Sequence, residues 1–296
     1  MVKKINWKDI DFNSHILVIG NFDGIHIGHI RLIEFAKSFG DVTLLTFTPH
    51  PKMVLNGIHS NFLLTLDEEK VKILSDLNVK DIHFLCFTRE FANFTSSDFL
   101  KNVILKIKPE IIIVGYDFKF GKGRSSDAEG LKSLCREYNI EVKIFPEVLL
   151  NNKPVKSSDI RDLVLKGEIE EVRKFILRDY SFEGEVIKGE GIGERIGFPT
   201  SNLDVDPKKI LPESGVFKVL VNDKYYGMLY IGSKPTFSKE GRFIEVHIFD
   251  FNENIYGSKL SIIFLKKLRD EIKFNSLEEL KKQLIIDKQK ALNDRR

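Results

Sequence analysis

Two short segments, one in each half of the chain, carry residue types that handle phosphate. The first, GNFDGIHIGH at 20–29, contains His26 and His29 directly after an apolar run. The second, GFPTSN at 197–202, follows a glycine-dense stretch. Imidazoles and unobstructed backbone N–H groups both stabilise phosphate charge. Because the two segments are unlike, they predict two separate nucleotide-using reactions on one polypeptide.

The first segment joins a predicted strand to a predicted helix. Residues 15–19 form an apolar run, and an amphipathic pattern predicts a helix over 30–39. Ligands of a doubly wound sheet bind beyond the carboxyl ends of its strands, and the N–H groups at a helix start attract phosphate. His26 and His29 could therefore hold ATP phosphates and stabilise a transferring α-phosphate without a covalent intermediate. Two other interpretations stay open, half of a metal site and two unrelated surface histidines.

The second segment offers a phosphate cradle, metal ligands and a base. Thr200 and Asn202, fixed by Pro199, carry neutral oxygens of the kind that Mg²⁺ accepts beside phosphates and water. Glu245 lies in a strand-like run and could accept the proton of an attacking hydroxyl. A solvated strand residue and a simple turn cap remain open interpretations of these positions. The glycines of the predicted cradle are Gly189, Gly191 and Gly193.

The composition is that of an ordinary globular protein with nearly balanced charge. Of 296 residues, 42% are apolar and 30% are charged, and the net charge is +3. This balance gives no reason to expect nucleic acid as a partner. No apolar run is long enough to span a membrane, and residues 1–9 lack the apolar core of a signal peptide. We therefore expect no membrane partner. Because Cys86 and Cys135 form no paired motif, we expect reduced thiols in a cytoplasmic protein.

Strand and helix patterns alternate through the first half of the chain. Thr65 with Glu68 forms a capping-box pattern, which predicts a helix that buries Val71 and Leu74. The alternation favours an α/β domain with a doubly wound parallel sheet. The predicted strands are 15–19, 42–47, 82–87, 111–114 and 142–145, and a further helix is predicted over 127–138.

The pattern changes after about residue 180, where short β-prone runs are separated by turn residues. Such runs favour a small antiparallel barrel. Ser276 with Glu279 predicts the start of a final helix. We therefore predict an α/β domain over 1–176 and a β-barrel domain with a terminal helix over 177–296. The strand-like runs are 183–188, 215–221, 225–232, 243–250 and 260–266.

Motifs in both halves resemble those of the bacterial bifunctional riboflavin kinase/FMN adenylyltransferase (FAD synthetase) family. Those of the first half are residues 20–29, TFTPHP at 46–51, VGYDFKFG at 114–121 and SSDIR at 157–161. Those of the second half are GFPTSNL at 197–203, GVF at 215–217, IGSKPTF at 231–237, YG at 256–257 and LRDEIKF at 268–274. The chain departs from the resemblance at Lys156, where the family usually has serine, and at Glu194, where it commonly has arginine.

The resemblance implies a Rossmann-like nucleotidyltransferase domain followed by a riboflavin kinase domain. It implies that His26, His29 and Glu245 are catalytic. Taken alone, Asp117 and Phe118 fit an ordinary strand-to-loop turn. The implied flavin-binding residues are Phe47, Asp117, Phe118 and Arg269. The expected nucleotide-binding residues are Asn21, Asp23, Gly28, Ser158, Arg161, Gly189, Gly191, Gly193, Thr200 and Asn202, of which Thr200 and Asn202 would also hold Mg²⁺.

The implied reactions form a sequence. The second domain would phosphorylate riboflavin to FMN, and the first would adenylylate FMN to FAD with release of pyrophosphate. Both steps would use Mg²⁺ with ATP as co-substrate, so riboflavin, FMN and ATP are the expected partners, and self-association is left open. Two alternatives stay open, an enzyme with one working half and a flavin- or nucleotide-binding regulator without turnover.

Overall fold

The chain divides into two compact units, Met1–Ser157 and Ser158–Arg296. A computed structural model describes residues 1–189, 193, 196–233 and 242–293. The predicted domain boundary after residue 176 stays a prediction. In the part of the chain that the structure describes, no helix combines the length and apolar character needed to cross a membrane. Several positions singled out above lie outside the described residues, namely Gly191, Glu194, Pro235, Thr236 and Phe237.

The first unit is built on a parallel sheet of six strands, which confirms the predicted α/β fold. Its order is β1-β4-β3-β2-β5-β6, and every neighbouring pair is parallel. The chain moves outward from β2 to β4 and then returns to the other side of β2, so the order reverses between β2 and β5. The strands are β1 Val2–Ile5, β2 Ile16–Ile19, β3 Val42–Thr48, β4 Asp81–Cys86, β5 Ile111–Gly115 and β6 Glu141–Phe145.

Helices cover both faces of this sheet, so its central strands are buried as continuous apolar runs. All four residues of β2 are at most 1% exposed. The α-helices are α1 Ile27–Lys37, α2 Pro51–Asn56, α3 Asp67–Asp76, α4 Arg89–Ala92, α5 Ser96–Phe99 and α6 Ala128–Arg136. The helix α5 continues as a π-helical turn over Leu100–Ile104 and a last α-helical turn over Leu105–Ile107. Short 3₁₀ turns lie at Trp7–Asp9 and Lys122–Arg124.

Two details of the first unit differ from the sequence prediction. Strand β1 was not predicted, because two lysines interrupt its apolar pattern at the edge of the sheet. The cap predicted at Thr65 with Glu68 is wrong by one residue, since the Glu69 carboxylate accepts the Leu66 N–H at 2.9 Å. Thr65 therefore does not cap the helix, and its side chain contacts the loop of the site described below.

The second unit contains a closed antiparallel barrel, as predicted. Its strand order is β7-β8-β11-β10-β9-β12. Strand β8 was not predicted, because four residues of which three are polar give no apolar alternation. The strands are β7 Ser181–Ile187, β8 Ser201–Asp204, β9 Gly215–Val221, β10 Tyr225–Ser233, β11 Arg242–Ile248 and β12 Lys259–Arg269. The helices are α7 Ser157–Lys166, α8 Ile169–Ile176 and α9 Leu277–Asn293.

A buried ion pair fastens the terminal helix α9 to strand β12. Arg269 Nε donates to both carboxylate oxygens of Asp287, at 3.1 and 2.9 Å. The Arg269 side chain is 12% exposed and that of Asp287 is fully buried. Gln283 Nε2 also donates to Asp287 at 2.9 Å. Arg269 therefore supplies the positive charge that balances the buried carboxylate.

Replacing Arg269 with methionine should strongly destabilise the second unit. The change leaves the Asp287 carboxylate buried without its cation, which typically costs about 3–5 kcal/mol. Urea denaturation measures this loss in the free energy of unfolding. Glu171→Ala is the matched control, because it breaks an exposed pair with Lys174 and should cost at most about 1 kcal/mol. Equal losses in the two variants would contradict the assignment.

Candidate active sites

The first candidate site lies at the carboxyl edge of the parallel sheet, where the strand order reverses. Strand β2 lies between β3 and β5, so the loops that follow these three strands share one edge. A crevice at such a switch point is the usual ligand site of this architecture. The loop 20–26 after β2 therefore occupies the position that the sequence predicted for phosphate binding.

His26 and His29 meet at the start of helix α1. Their rings are stacked, with centroids 3.7 Å apart and an angle of 17° between the planes. His26 is the N-cap of α1, and its Nδ1 accepts the His29 N–H at 3.4 Å. An accepting Nδ1 puts the proton of neutral His26 on Nε2. A side-chain Cβ at Gly28 would approach this ring to 3.1 Å, so glycine there lets the imidazole lie against the helix start.

Asp23 holds the loop in place from inside the protein. The residue is 1% exposed, and its carboxylate accepts the Leu64 and Thr65 N–H groups at 3.3 and 3.1 Å. Thr65 Oγ1 in turn accepts the Gly24 N–H at 3.1 Å. The Ser157 hydroxyl donates to the Asp23 carbonyl at 2.9 Å. The structure therefore gives Asp23 loop-fixing contacts, while its predicted contact with nucleotide stays a prediction.

The predicted flavin residues of the first unit follow neighbouring strands of the sheet. Phe47 is the penultimate residue of β3, and its ring packs on Phe87 and Phe91 with centroids 6.0 and 6.2 Å apart. Asp117 is exposed and Phe118 is half-buried directly after β5. These positions place an apolar ring and a carboxylate near the same edge as the histidines, and their flavin contact stays a prediction.

The remaining residues that the motifs of the first half predict to bind nucleotide differ in exposure. Asn21 is an exposed loop residue whose carbonyl accepts the Thr46 hydroxyl at 3.0 Å. Ser158 is exposed in the first turn of α7, where its hydroxyl donates to Asp159 at 3.1 Å. Arg161 lies one turn further and is 9% exposed. Their predicted phosphate contacts stay predictions.

A buried lysine at this edge was missed by the sequence analysis. Lys70 is 3% exposed, and its ammonium donates to the Asn21 carbonyl at 2.9 Å. Burial lowers the pKa of Lys70, while the nearby carboxylates of Asp23 and Asp67 act in the opposite direction. In the sequence this lysine follows two glutamates on an amphipathic helix, which is the pattern of a solvated face. Only the tertiary contact with the loop identifies it.

The second candidate site brings Gly189 and Gly193 against Asn202 and Thr200. A Cβ at Gly189 would lie 1.7 Å from Asn202 Nδ2, and one at Gly193 would lie 3.0 Å from Thr200 Oγ1 and 2.2 Å from the Phe198 carbonyl. Any side chain at these glycines would displace the groups that it meets. The predicted cradle residues Gly189 and Gly193 therefore lie directly beside the predicted metal ligands.

One row of paired residues crosses the barrel beside this cradle. Asn202 pairs with Glu245, Glu245 pairs with Tyr230, Tyr230 pairs with Val216, and Val216 pairs with Arg269. Directly opposed residues of neighbouring strands point to the same face of a sheet. Glu245 is half-buried and Asn202 is 6% exposed. A carboxylate thus lies in register beside a predicted phosphate ligand, which periodicity alone did not establish.

The row also reveals a tyrosine that the sequence analysis missed. The Tyr230 hydroxyl donates to Glu271, beyond the end of strand β12. Burial, the hydrogen bond to Glu271 and the charge of Glu245 all raise the pKa of Tyr230. Arg269, which ends this row, pairs its guanidinium with Asp287, and its predicted flavin contact stays a prediction.

His247 supports the GFPT loop from the neighbouring strand. Its Nδ1 donates to the Pro199 carbonyl at 2.7 Å, and its ring packs on Phe198 and Phe249 with centroids 5.3 and 5.6 Å apart. His247 lies two residues after Glu245 on strand β11, and its contact with Pro199 is a structural one. His247 thereby fixes the residue that precedes Thr200.

Replacing His247 with phenylalanine should reduce the pH dependence of stability. Burial lowers the pKa of His247, so the folded protein takes up this proton less readily than the unfolded chain. The stabilisation is complete above the unfolded pKa of about 6.5 and is lost as the pH falls below it, by at most about 1.4 kcal/mol per pH unit. Urea denaturation at about pH 7.5 and about pH 5.5 measures the free energy of unfolding. Between these pH values it should fall more in the wild type than in His247→Phe. Equal slopes would contradict the assignment.

Across the described residues, no group of three or more His, Cys, Asp or Glu side chains is placed to hold a metal ion. The neutral oxygens of Thr200 and Asn202 are a different donor set. Mg²⁺ commonly takes only one or two protein ligands, with substrate phosphates and water completing its octahedron. The hydroxyl and amide beside the cradle are compatible with that arrangement.

Family models match both units of the chain. The model described as FAD synthetase matches residues 9–159, and the model described as riboflavin kinase matches residues 176–294. The chain therefore carries both enzymatic domains, in the order that the motifs predicted.

Full-length relatives agree with the two family models. A bifunctional riboflavin kinase/FMN adenylyltransferase from Buchnera aphidicola is 35% identical over 95% of this chain and 94% of its own. One from Listeria monocytogenes is 33% identical over 96% and 92%. A crystal structure from Streptococcus pneumoniae, named a macrolide-efflux protein, is 32% identical with a TM-score of 0.88 and covers 99% of both chains. With one enzymatic domain in each unit and relatives that match nearly end to end, the chain belongs to the bifunctional riboflavin kinase/FMN adenylyltransferase family.

Proposed function

We propose that the barrel unit phosphorylates riboflavin to FMN with ATP, and that the sheet unit transfers AMP from a second ATP to FMN, giving FAD and pyrophosphate. The observation that carries the proposal is the pairing of Glu245 with Asn202. It puts a carboxylate beside an amide that lies against the glycine cradle. A base next to a phosphate site is the arrangement in which an attacking hydroxyl can lose its proton during phosphoryl transfer.

In the kinase step, Glu245 accepts the proton of the ribityl hydroxyl. The hydroxyl oxygen then attacks the γ-phosphorus of ATP, and the bond between that phosphorus and the ADP oxygen breaks. The cradle beside Gly189 and Gly193 donates N–H groups to the phosphates. His247 keeps the neighbouring loop in position through the Pro199 carbonyl.

In the adenylyl step, a phosphate oxygen of FMN attacks the α-phosphorus of ATP. The bond from that phosphorus to the bridging oxygen breaks, and pyrophosphate leaves. His26 and His29, stacked at the start of α1, stabilise the negative charge that develops on the transferring phosphoryl group. No covalent enzyme intermediate is needed, because positioning and charge stabilisation supply the catalysis.

Thr200 and Asn202 would hold Mg²⁺ in the kinase site. The ion would neutralise phosphate charge and orient the ATP phosphates. Removal of Mg²⁺ with a chelator should therefore stop FMN formation, and restored Mg²⁺ should recover it.

Incubation of the protein with riboflavin, ATP and Mg²⁺, followed by chromatography of the flavins, tests the proposal. FMN should appear first and FAD should follow, and FMN supplied directly should be converted to FAD. Formation of only one product would identify an enzyme with a single working half. Tight flavin binding without ATP consumption would favour a regulator. We place both reactions in the cytoplasm, and light scattering with and without flavin tests self-association.

A further inference from the structure

The loop 20–26 contains two residues in an unfavourable left-handed backbone conformation. Phe22 and Ile25 have φ angles of 47° and 38°. This left-handed region is unfavourable for a β-branched residue such as Ile25. Residues in sparsely populated conformations persist only where neighbouring structure fixes them, and such positions cluster at ligand sites. The contacts that fix this loop are therefore part of its binding function.

Two donors converge on one carbonyl of the loop. The Asn21 oxygen accepts the Lys70 ammonium at 2.9 Å and the Thr46 hydroxyl at 3.0 Å. Lys70 is 3% exposed, and Thr46 is fully buried. The two interactions have the same acceptor and nearly the same length, but only one of the donors carries a charge.

The same loop contains a buried negative charge. Asp23 is 1% exposed and is fixed by backbone N–H groups of the neighbouring segment. ATP carries several negative charges, which a buried carboxylate repels strongly because the protein interior screens charge poorly. A buried cation at the same loop offsets this repulsion. Asp23 and Lys70 influence each other electrostatically.

We propose that Lys70 is a positioning residue for adenylyl transfer. Its ammonium holds the Asn21 carbonyl, and its charge offsets that of Asp23, so that the loop accepts the polyphosphate of ATP. Lys70 acts through the loop and not on the reacting atoms. The inference rests on the proposed assignment of FMN adenylylation to the sheet unit.

Three variants separate the charge of Lys70 from its hydrogen bond. Lys70→Met removes both, and Lys70→Gln keeps a donor but removes the charge. Thr46→Val removes the other donor, and with it an acceptor of the Lys70 ammonium at 3.5 Å, while the charge stays. Conversion of supplied FMN to FAD is measured with varied ATP and with pyrophosphate as product inhibitor. Conversion of riboflavin to FMN by the same preparations is the internal control.

Both Lys70 variants should raise the KM for ATP by about 10-fold or more and weaken inhibition by pyrophosphate to a similar extent, because loss of one buried charge interaction is worth at least about 1.4 kcal/mol. Their KM for FMN and their FMN formation should stay within about 2-fold of wild type, and Thr46→Val should change the KM for ATP by less than about 5-fold. If Lys70→Met unfolds, Lys70→Gln carries the test.

The outcomes distinguish the two proposals. If the wild type forms no FAD from FMN, the proposed function of the sheet unit fails. If the wild type forms FAD but Lys70→Gln matches wild type or Thr46→Val in its KM for ATP, the charge of Lys70 has no positioning role. A parallel rise in the KM for FMN would indicate a general structural defect and would also overturn the inference.

Discussion

Replacing His26 and His29 together with alanine is expected to abolish FAD formation and to leave FMN formation unchanged. The two rings lie 3.7 Å apart at the start of helix α1, where they can act on the same phosphoryl group. Loss of one charge-stabilising donor typically lowers kcat by about 10²–10³. The double variant should therefore lose at least about 10³ in FAD formation, measured by chromatography with FMN and ATP supplied.

The control for this variant is an exposed histidine of the same unit. His59 is exposed and belongs to none of the motifs, so His59→Ala should convert FMN to FAD at the wild-type rate. Because His26 also caps helix α1, thermal unfolding of the double variant must be compared with wild type. Loss of FMN formation together with FAD would show that the two steps are not divided between the units as proposed.

The fold was predictable from sequence where each element carries its own signal. Buried parallel strands are continuous apolar runs, and Ile16–Ile19 and Ile111–Gly115 were found within about one residue at each end. The edge strand Val2–Ile5 has half of its residues as lysine and forms because it pairs with Asp81–Cys86. Pairing with a distant strand leaves no local pattern, so this strand could not be predicted.

Proximity within the candidate site was predictable where motif residues contact each other directly, while the roles of those residues stay predictions. The stack of His26 on His29 follows from their spacing at a helix start. Lys70 and Tyr230 were missed, because their positions depend on a loop and on strand register that lie far away in sequence. Thr65 was assigned to a helix cap, whereas tertiary contacts with Gly24 and Asp23 determine its role.

Replacing Glu245 with glutamine is expected to stop FMN formation while supplied FMN is still converted to FAD. Glutamine has the shape of glutamate but cannot accept the proton of the ribityl hydroxyl. Removal of a general base typically costs about 10²–10⁴ in rate. The loss should fall on kcat, and the KM for ATP should stay near wild type, since the cradle glycines and Asn202 are unchanged.

Glu183 on strand β7 provides the matched control for this substitution. It is an exposed glutamate of the same barrel and forms a pair with Lys259 at 3.7 Å, so Glu183→Gln should keep full kinase activity. If Glu245→Gln raised only the KM for ATP, the carboxylate would serve nucleotide binding and not proton transfer. If it impaired FAD formation from FMN as well, Glu245 would not be confined to the kinase step. An unchanged rate of FMN formation would show that Glu245 is not the base. Its pairing with Asn202 would then have no role in proton transfer.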